Sequence, residues 1–590
     1  MWSRLSGDQI RILDILSHGG TDYTLPICCE ITVVALSNKP QYEAVSYCWG
    51  ESNETVDIEV AGNPRSITTN LQAALRHLRL PDRKRSVWID QLCVNQDDNE
   101  ERLSQVHLMY NVYSQCNRCL AWLGEIDPEF SVADAKAALD LILFLSDKNE
   151  KAPIPTSISS ADTPTLKGYL RALASAGVAK NPWWKRIWTV QEAILPSEII
   201  FHWGPLQIPW GCVVDALYFL HMYKLLLLRP LLYQHSIFET WPLLDYTKVQ
   251  YAVMIWIQNA HVWRDSAFDA AIQWRGRQAT VPHDKLFGLR GLWHPNVEMP
   301  NTDKCSYDTS VAELYTAFTI DIILDENSLA LLELDPRVER GKRTSNIPNW
   351  ATDMNDSVEY GVDSYYRRWG DKQIYNACEE NRLDKQALIH ATADPNHPFN
   401  VLGLTGIMID TMDVLAPVRL TNGYFETISD VVISQMLRDW MDLVRSRDRP
   451  GNFSDEAFHR LVIGDAMRDD QQGFRRRPNA DDLRQVADFV RDGTRDDQWL
   501  DEKIMRAQVQ NQKFFVTKGG MMGLGHLDTE PGDEVRVFDG GNFPFLVKRQ
   551  ERENVYDYDF VGCCYVQGII FGEAYFGETQ IPPKRTLRIH

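Results

Sequence analysis

Ser86-Val-Trp-Ile-Asp90-Gln-Leu-Cys-Val-Asn95-Gln-Asp-Asp98-Asn-Glu-Glu101-Arg102 passes from the pattern of a strand to that of a helix within a few residues. Ser86 to Asp90 is a short apolar run rich in β-branched and aromatic residues. Asp98 with Glu101 three places later predicts a capping box, opening a helix whose apolar line is Val106, Met109, Tyr110 and Tyr113. Asp90 then stands at the carboxyl end of the strand. Upstream, Tyr42-Glu-Ala-Val-Ser-Tyr47 alternates as a strand and runs into Cys48-Trp49-Gly50, and Thr69-Asn70 caps a helix through Leu71, Leu75 and Leu78. Downstream, Arg118 to Leu123 is a third strand that ends at Gly124. Strands alternating with helices at this spacing predict a parallel sheet with helices on both faces. Trp49-Gly50 and Asp90 are expected on one edge of it, where open α/β sheets hold ligands.

Further along, Asn181-Pro-Trp-Trp-Lys-Arg-Ile-Trp-Thr-Val-Gln-Glu-Ala-Ile-Leu-Pro196 reads as one short helix. Asn181 is its N-cap, Pro182 takes the first turn and Pro196 stops it. Trp184, Trp188 and Glu192 fall at i, i+4 and i+8, close to one line on its surface. A carboxylate among indoles calls for an explanation. Glu198-Ile-Ile-Phe-His-Trp-Gly204 follows as another strand, and no phosphate-cradling glycine pattern adjoins any of these strands.

The 590 residues exceed one ordinary core, and 44% hydrophobic with 24% charged residues is the composition of a folded chain. A net charge of −20 repels a phosphate backbone over most of the surface, so nucleic acid is not an expected partner. Eleven cysteines without regular spacing, and no secretory leader, point to reduced thiols and a cytoplasmic location. Cys116-Asn-Arg-Cys119 lacks a second pair at zinc spacing, and the histidines form no HxH or HExxH pair, so no metal is expected. The most apolar stretch, Cys212 to Leu232, is broken by Asp215, Lys224, Arg229 and Pro230, which argues for a buried helix or a partner surface and against a membrane span.

The expected organisation is a lead-in at 1–40 packing on an α/β domain at 41–210, then a mainly helical region at 211–444 that includes an amphipathic helix from Asp245 to Val262. A charged helical and loop segment follows at 445–512, with Arg475-Arg-Arg477 beside Asp481-Asp482. From Lys513 onward, strand-length runs separated by Gly519-Gly520, Pro531-Gly-Asp533 and Asp539-Gly-Gly541 predict a small antiparallel barrel or sandwich at 513–590.

Three blocks carry a resemblance: Tyr42-Glu-Ala-Val-Ser-Tyr-Cys-Trp-Gly50, Val87 to Arg102 with Gln105-Val106, and Trp184-Lys-Arg-Ile-Trp-Thr-Val-Gln-Glu192. In order and spacing they resemble the signature blocks of the fungal heterokaryon-incompatibility (HET) domain. Thr280-Val-Pro-His-Asp-Lys-Leu-Phe-Gly-Leu-Arg-Gly291 is similar to a segment that often follows that domain, with His283 where arginine is commoner. Ile347-Pro-Asn-Trp350 and Phe515 to Gly525 are similar to recurrent parts of long HET proteins.

HET domains resemble TIR domains, which implies a TIR- or flavodoxin-like parallel sheet. In TIR-type NAD hydrolases a glutamate on a W-x-x-x-E helix is catalytic, and the matching residue is Glu192. The resemblance thus implies NAD as substrate, with no cofactor, in an effector of non-self recognition and programmed cell death. Leaving nicotinamide is neutral, so this chemistry needs a carboxylate to stabilise an oxocarbenium-like state and a pocket for the ring. Trp49, Gly50 and Trp188 are the candidates for the pocket, Asp90 or Asn95 for a ribose or amide, and Arg102 or Arg186 for pyrophosphate.

Plainer roles stand beside these. Trp184 and Trp188 can be core packing, Glu101 a cap, and Arg102 an ion-pair partner of Asp90 or Glu192. The same blocks also suit a non-catalytic module that signals by assembly with a protein partner or with its own copies, or an accessory protein of secondary metabolism.

Overall fold

The computed structural model describes residues 4–17, 25–49, 54–149, 153–176, 181–219, 266–294, 296–333, 343–355, 375–379, 381–392, 401–417, 429–447, 453–468, 475–493, 509, 512–550, 557–576 and 581–590. They form two compact units, Met1–Val297 with Ser306–Asp308, and Glu298–Cys305 with Thr309–His590.

The first unit is built on a nine-stranded sheet. Its strands are β1 (Gln9–Ile15), β2 (Cys28–Ala35), β3 (Glu43–Tyr47), β4 (Thr55–Val60), β5 (Asn63–Thr68), β6 (Arg85–Trp88), β7 (Cys119–Trp122), β8 (Ile199–Trp203) and β9 (Leu206–Pro209), in the spatial order β5-β4-β2-β1-β6-β3-β7-β8-β9. The four central strands β6, β3, β7 and β8 pair in parallel. The expectation of an all-parallel sheet is corrected at its edges, because β1 joins β6 antiparallel, and the β1–β2, β4–β5 and β8–β9 pairs are antiparallel too. The lead-in therefore extends the sheet with two strands of its own. From β3 the chain goes to β6 on one side and afterwards to β7 on the other, so the winding reverses at β3.

Helices connect these strands: α1 (Thr69–Leu78), α2 (Asp90–Cys93), α3 (Asn99–Gln115), α4 (Val132–Ser146), α5 (Thr156–Ser159), α6 (Thr163–Ala176), α7 (Trp188–Ile194) and α8 (Trp210–Phe219). Thr68, one residue before the expected cap, accepts from the Leu71 amide and starts α1. Asp98 caps α3 by accepting from the Glu100 and Glu101 amides. The reciprocal half of the expected capping box is absent: the Glu101 carboxylate instead accepts from the Asn95 amide at 2.7 Å and grips Arg11 of β1 at 2.6 and 3.0 Å. Arg11 is 1% exposed, and this buried pair ties the amino end of α3 to the sheet.

The helix expected from Asn181 to Pro196 is in fact two. Pro182–Lys185 is a 3₁₀ turn capped by Asn181, Arg186 is extended, and α7 begins at Trp188. The break has a partner in the fold. The Ile187 amide donates to the Gln278 carbonyl at 2.9 Å, and the Gln278 amide donates to the Lys185 carbonyl at 2.5 Å. Those groups are thereby taken from helical bonding, and Trp184 leaves the line of Trp188 and Glu192. It packs against Trp183, Phe201 and Trp210. The unit continues with α9 (Ala267–Trp274) and α10 (Asp284–Phe287). The stretch from Asp245 to Val262 lies outside the described residues.

In the second unit the long strand β10 (Leu402–Leu415) falls within the stretch expected to be helical, which also holds α11 (Val311–Glu326) and α12 (Lys385–Thr392). After α13 (Asp430–Arg445), α14 (Asp455–Val462), the small ribbon β11 (Met467–Arg468) with β12 (Arg475–Arg476), and α15 (Ala480–Asp492) come the remaining strands. These are β13 (Lys513–Thr517), β14 (Met522–Gly525), β15 (Glu534–Phe538), β16 (Phe545–Arg549), β17 (Asp557–Cys563), β18 (Tyr565–Val566) and β19 (Arg585–Ile589). β10 pairs with β19 in its first half, β15 in its middle and β13 at its end, so the circuit β10-β15-β16-β17-β19 closes on itself. A Cβ on Gly406, where β10 is paired on both edges, would come within 2.2 Å of the Val537 carbonyl oxygen. Among the expected basic cluster, Arg477 pairs with the fully buried Asp465, and Arg476 pairs with Asp482.

Candidate functional site

β3 delivers Ser46, Tyr47, Cys48 and Trp49 to the carboxyl edge of the parallel strands, and the chain leaving β6 brings Asp90 and Gln91 to the same place. Ser46 is buried and makes the link to α7. Its hydroxyl donates to Glu192 Oε2 and accepts from the indole Nε1 of Trp183 at 2.7 Å. Glu192 is 5% exposed. Extended Arg186 donates to the Tyr47 carbonyl oxygen, and from there its charge acts on Glu192, Asp90 and Cys48. The distal residue Asn70 fixes the strand ends from the other side, its amide donating to the Cys48 carbonyl and accepting from Trp122.

Burial pushes the Glu192 carboxyl up to about 7; Arg186, the Ser46 hydroxyl and Tyr113 pull it down, and Asp90 adds to the rise. Asp90 is also raised by burial, against the pull of Arg186, Trp49, Gln91 and Tyr47. Its oxygens accept from Trp49 Nε1 at 2.8 Å and from the Gln91 amide at 2.7 Å. Burial works against the Arg186 charge, but Glu192 and Asp90 more than offset it and leave the group above its ordinary value. Burial pushes the Cys48 thiol up to about 11, so it remains protonated at neutral pH. The site is therefore two carboxylates around one guanidinium, with Trp49 at 37% exposure over Asp90.

Of the candidates from sequence, the structure brings together Trp49, Asp90, Arg186 and Glu192. It separates three others. Trp188 donates from Nε1 to Asp284 at 3.1 Å, Arg102 lies 3.6 Å over the ring of Tyr307, and the Asn95 amide is held by Glu101. Arg102 thus stands with Tyr307 and Asp284, and the suggestion that it pairs with Asp90 or Glu192 is corrected. Gly50 lies outside the described residues. Ser46, Tyr47 and Trp183 were missed as site residues. A serine inside an otherwise apolar alternating strand was the available signal for Ser46.

Residues 42–192 match the family Heterokaryon incompatibility protein (HET), and the match begins on the Tyr42 strand block and ends on Glu192 itself. The chain carries a HET domain. Residues 454–580 match the Het-6 beta-barrel domain, so β10 and β19, two strands of the closed circuit, lie outside that match. The HET-domain chain is similar to "Heterokaryon incompatibility protein 6, OR allele" of Neurospora crassa, 25% identical over 677 aligned positions that cover 96% of this chain and 94% of that one. No solved structure matches it. Among the described residues no helix is long and apolar enough to cross a membrane, and no group of three or more His, Cys, Asp and Glu is placed to hold a metal ion.

Proposed function

We propose that this HET protein is an effector of fungal non-self recognition whose α/β domain acts as a TIR-like NAD hydrolase, with Glu192 as its catalytic carboxylate. One observation carries the reading: a buried carboxylate, raised to about 7, is held by Ser46 within the field of Arg186 at the carboxyl ends of parallel strands where their winding reverses. Cleavage breaks the N-glycosidic bond of NAD, the bonding pair leaves with neutral nicotinamide, and water adds to the ribosyl carbon. The products are ADP-ribose, nicotinamide and a proton. Glu192 stabilises the positive charge that develops on the ribose, Asp90 accepts from a ribose hydroxyl, and Trp49 flanks the ring. Turnover of this kind depletes NAD and leads to growth arrest or cell death in the cytoplasm, with assembly on a protein partner or on its own copies as the activating event.

The test is NAD turnover by the purified full-length chain. Wild type releases nicotinamide, while Glu192→Ala and Glu192→Gln do not. Turnover in Glu192→Ala and Glu192→Gln equal to that of wild type removes Glu192 from the mechanism. The burial of Glu192 favours a second reading, in which Glu192, Ser46 and Arg186 form a structural polar cluster and the HET domain signals by assembly alone. Toxicity that survives Glu192→Gln supports that reading against the first.

A further inference from the structure

α7 has seven residues, too few to hold a helix in place by its own hydrogen bonds. Its orientation depends on what grips it, and much of that grip comes from residues beyond 42–192. Gln278 holds both neighbours of Arg186 by the two backbone bonds described above. Asp284 accepts from Trp188, the first residue of α7, at 3.1 Å and from the Tyr307 hydroxyl at 2.7 Å, and Arg102 covers the Tyr307 ring. Gln191, fully buried and adjacent to Glu192, donates to the Gly288 carbonyl oxygen at 2.6 Å. A Cβ on Gly291 would lie 2.3 Å from Gln191 Oε1, so the backbone approaches α7 closely there too.

These contacts belong to one piece of chain. Buried Lys285 donates to the Arg275 carbonyl at 2.8 Å and to that of Arg277, which joins the stretch before Gln278 to α10. Gln278, Asp284 and Gly288 are thus parts of a strap clamped on Arg186 and on α7. Burial raises Asp284, while Tyr307, Trp188 and Arg102 stabilise its charged form.

We infer that Asp284 is a positioning residue of the HET site: by fixing Trp188 it holds α7 so that Glu192 meets Ser46 at the end of β3. The inference rests on the reading of Glu192 as the catalytic carboxylate only for its effect on turnover; the positioning itself stands on the contacts. Asp284→Ala removes both acceptor oxygens, whereas Asp284→Asn keeps an oxygen for Trp188 and offers its amide to the Tyr307 hydroxyl.

The experiment compares wild type, Asp284→Ala and Asp284→Asn as full-length chains, by amide hydrogen exchange and by NAD turnover. Asp284→Ala is expected to speed exchange at Ile187 and Gln278 about ten-fold or more while β1, β6 and β7 keep their protection. Its kcat is expected to fall on the order of 10²-fold with KM little changed, because a displaced carboxylate loses its alignment with the reacting carbon. Asp284→Asn is expected to restore both. Unchanged exchange at Ile187 and Gln278, or equal acceleration throughout the sheet, overturns positioning. A wild-type chain that cleaves no NAD overturns the enzymatic reading and leaves the exchange comparison to decide positioning.

Discussion

Glu192→Gln, followed across pH, tests the electrostatics at the centre of the site. A carboxyl raised in the folded state from 4.5 to about 7 binds a proton more tightly when folded than when unfolded. Stability is therefore greatest below pH 4.5, falls as pH rises through the window from 4.5 to about 7, and stays lower above it. A tenfold difference in proton affinity between the folded and unfolded chains is about 1.4 kcal/mol, so the whole step is about 3 kcal/mol. Glutamine cannot ionise and removes that step. The measurement is chemical denaturation of both chains at pH 5, 6, 7 and 8, with the transition of the first unit followed by hydrogen exchange in β3 and β7 and taken as a difference between the chains. Differencing cancels Asp284 and the other groups that do not interact with Glu192, and leaves in only Glu192 and its coupling to Asp90 and Arg186. The stability of the variant relative to wild type should rise by about 1.4 kcal/mol per pH unit near pH 6 and level off above 7. A flat difference refutes the reasoning, since it would mean that Arg186 and Ser46 outweigh burial and that Glu192 is already ionised at pH 5.

Three further outcomes are expected. Glu101→Gln leaves Arg11 buried without its anion and should lower the stability of the first unit by about 3–5 kcal/mol, read as a shift in its denaturant midpoint. Gly406→Ala drives a methyl group into the Val537 carbonyl where β10 crosses from β19 to β15, and should destabilise the second unit by about 1–3 kcal/mol while leaving exchange protection in the first unchanged. Binding of a non-hydrolysable NAD analogue that keeps the positively charged nicotinamide ring, placed beside Glu192, should release about half a proton at pH 7 in calorimetry across buffers of different ionisation enthalpy, and Glu192→Gln should release none.

The parts of the fold that could be read in sequence are those set by local pattern. Alternation in Tyr42 to Tyr47 and the apolar run ending at Asp90 gave two parallel strands and put Trp49 and Asp90 on one edge, where Nε1 of the first donates to the second. What escaped depends on partners far along the chain. The break at Arg186 exists because Gln278, more than ninety positions later, takes the backbone groups of Lys185 and Ile187. Glu101 looks like a cap until Arg11 of β1 reaches it, and in β1 itself, buried from Ile10 to Ile15 with Arg11 and Asp14 inside it, the alternation of Gln9 to Ile12 marks no solvent face. β10 was hidden for a similar reason: β13, β15 and β19 all lie on the far side of α13, α14 and α15. Within the site, the serine in the apolar strand marks Ser46 as unusual but not its role, since only the fold sets it between Trp183 and Glu192.

A single guanidinium shared by two carboxylates also constrains what the pocket accepts. With Asp90 and Glu192 both ionised, Arg186 leaves one negative charge uncompensated in a buried setting, and burial answers by keeping a proton on Glu192 part of the time. A ligand that brings positive charge to Glu192 replaces that proton and relieves the imbalance. A phosphate placed on Arg186 does the reverse, because it competes for the guanidinium with both carboxylates and adds to the excess of negative charge. On the proposed reading, then, the nicotinamide ring and its ribose belong beside Glu192, and the pyrophosphate belongs away from Arg186, contrary to the assignment that its type and position in the sequence suggested. The same charge balance depends on where α7 stands, and α7 is held by Gln278, Asp284 and Gly288.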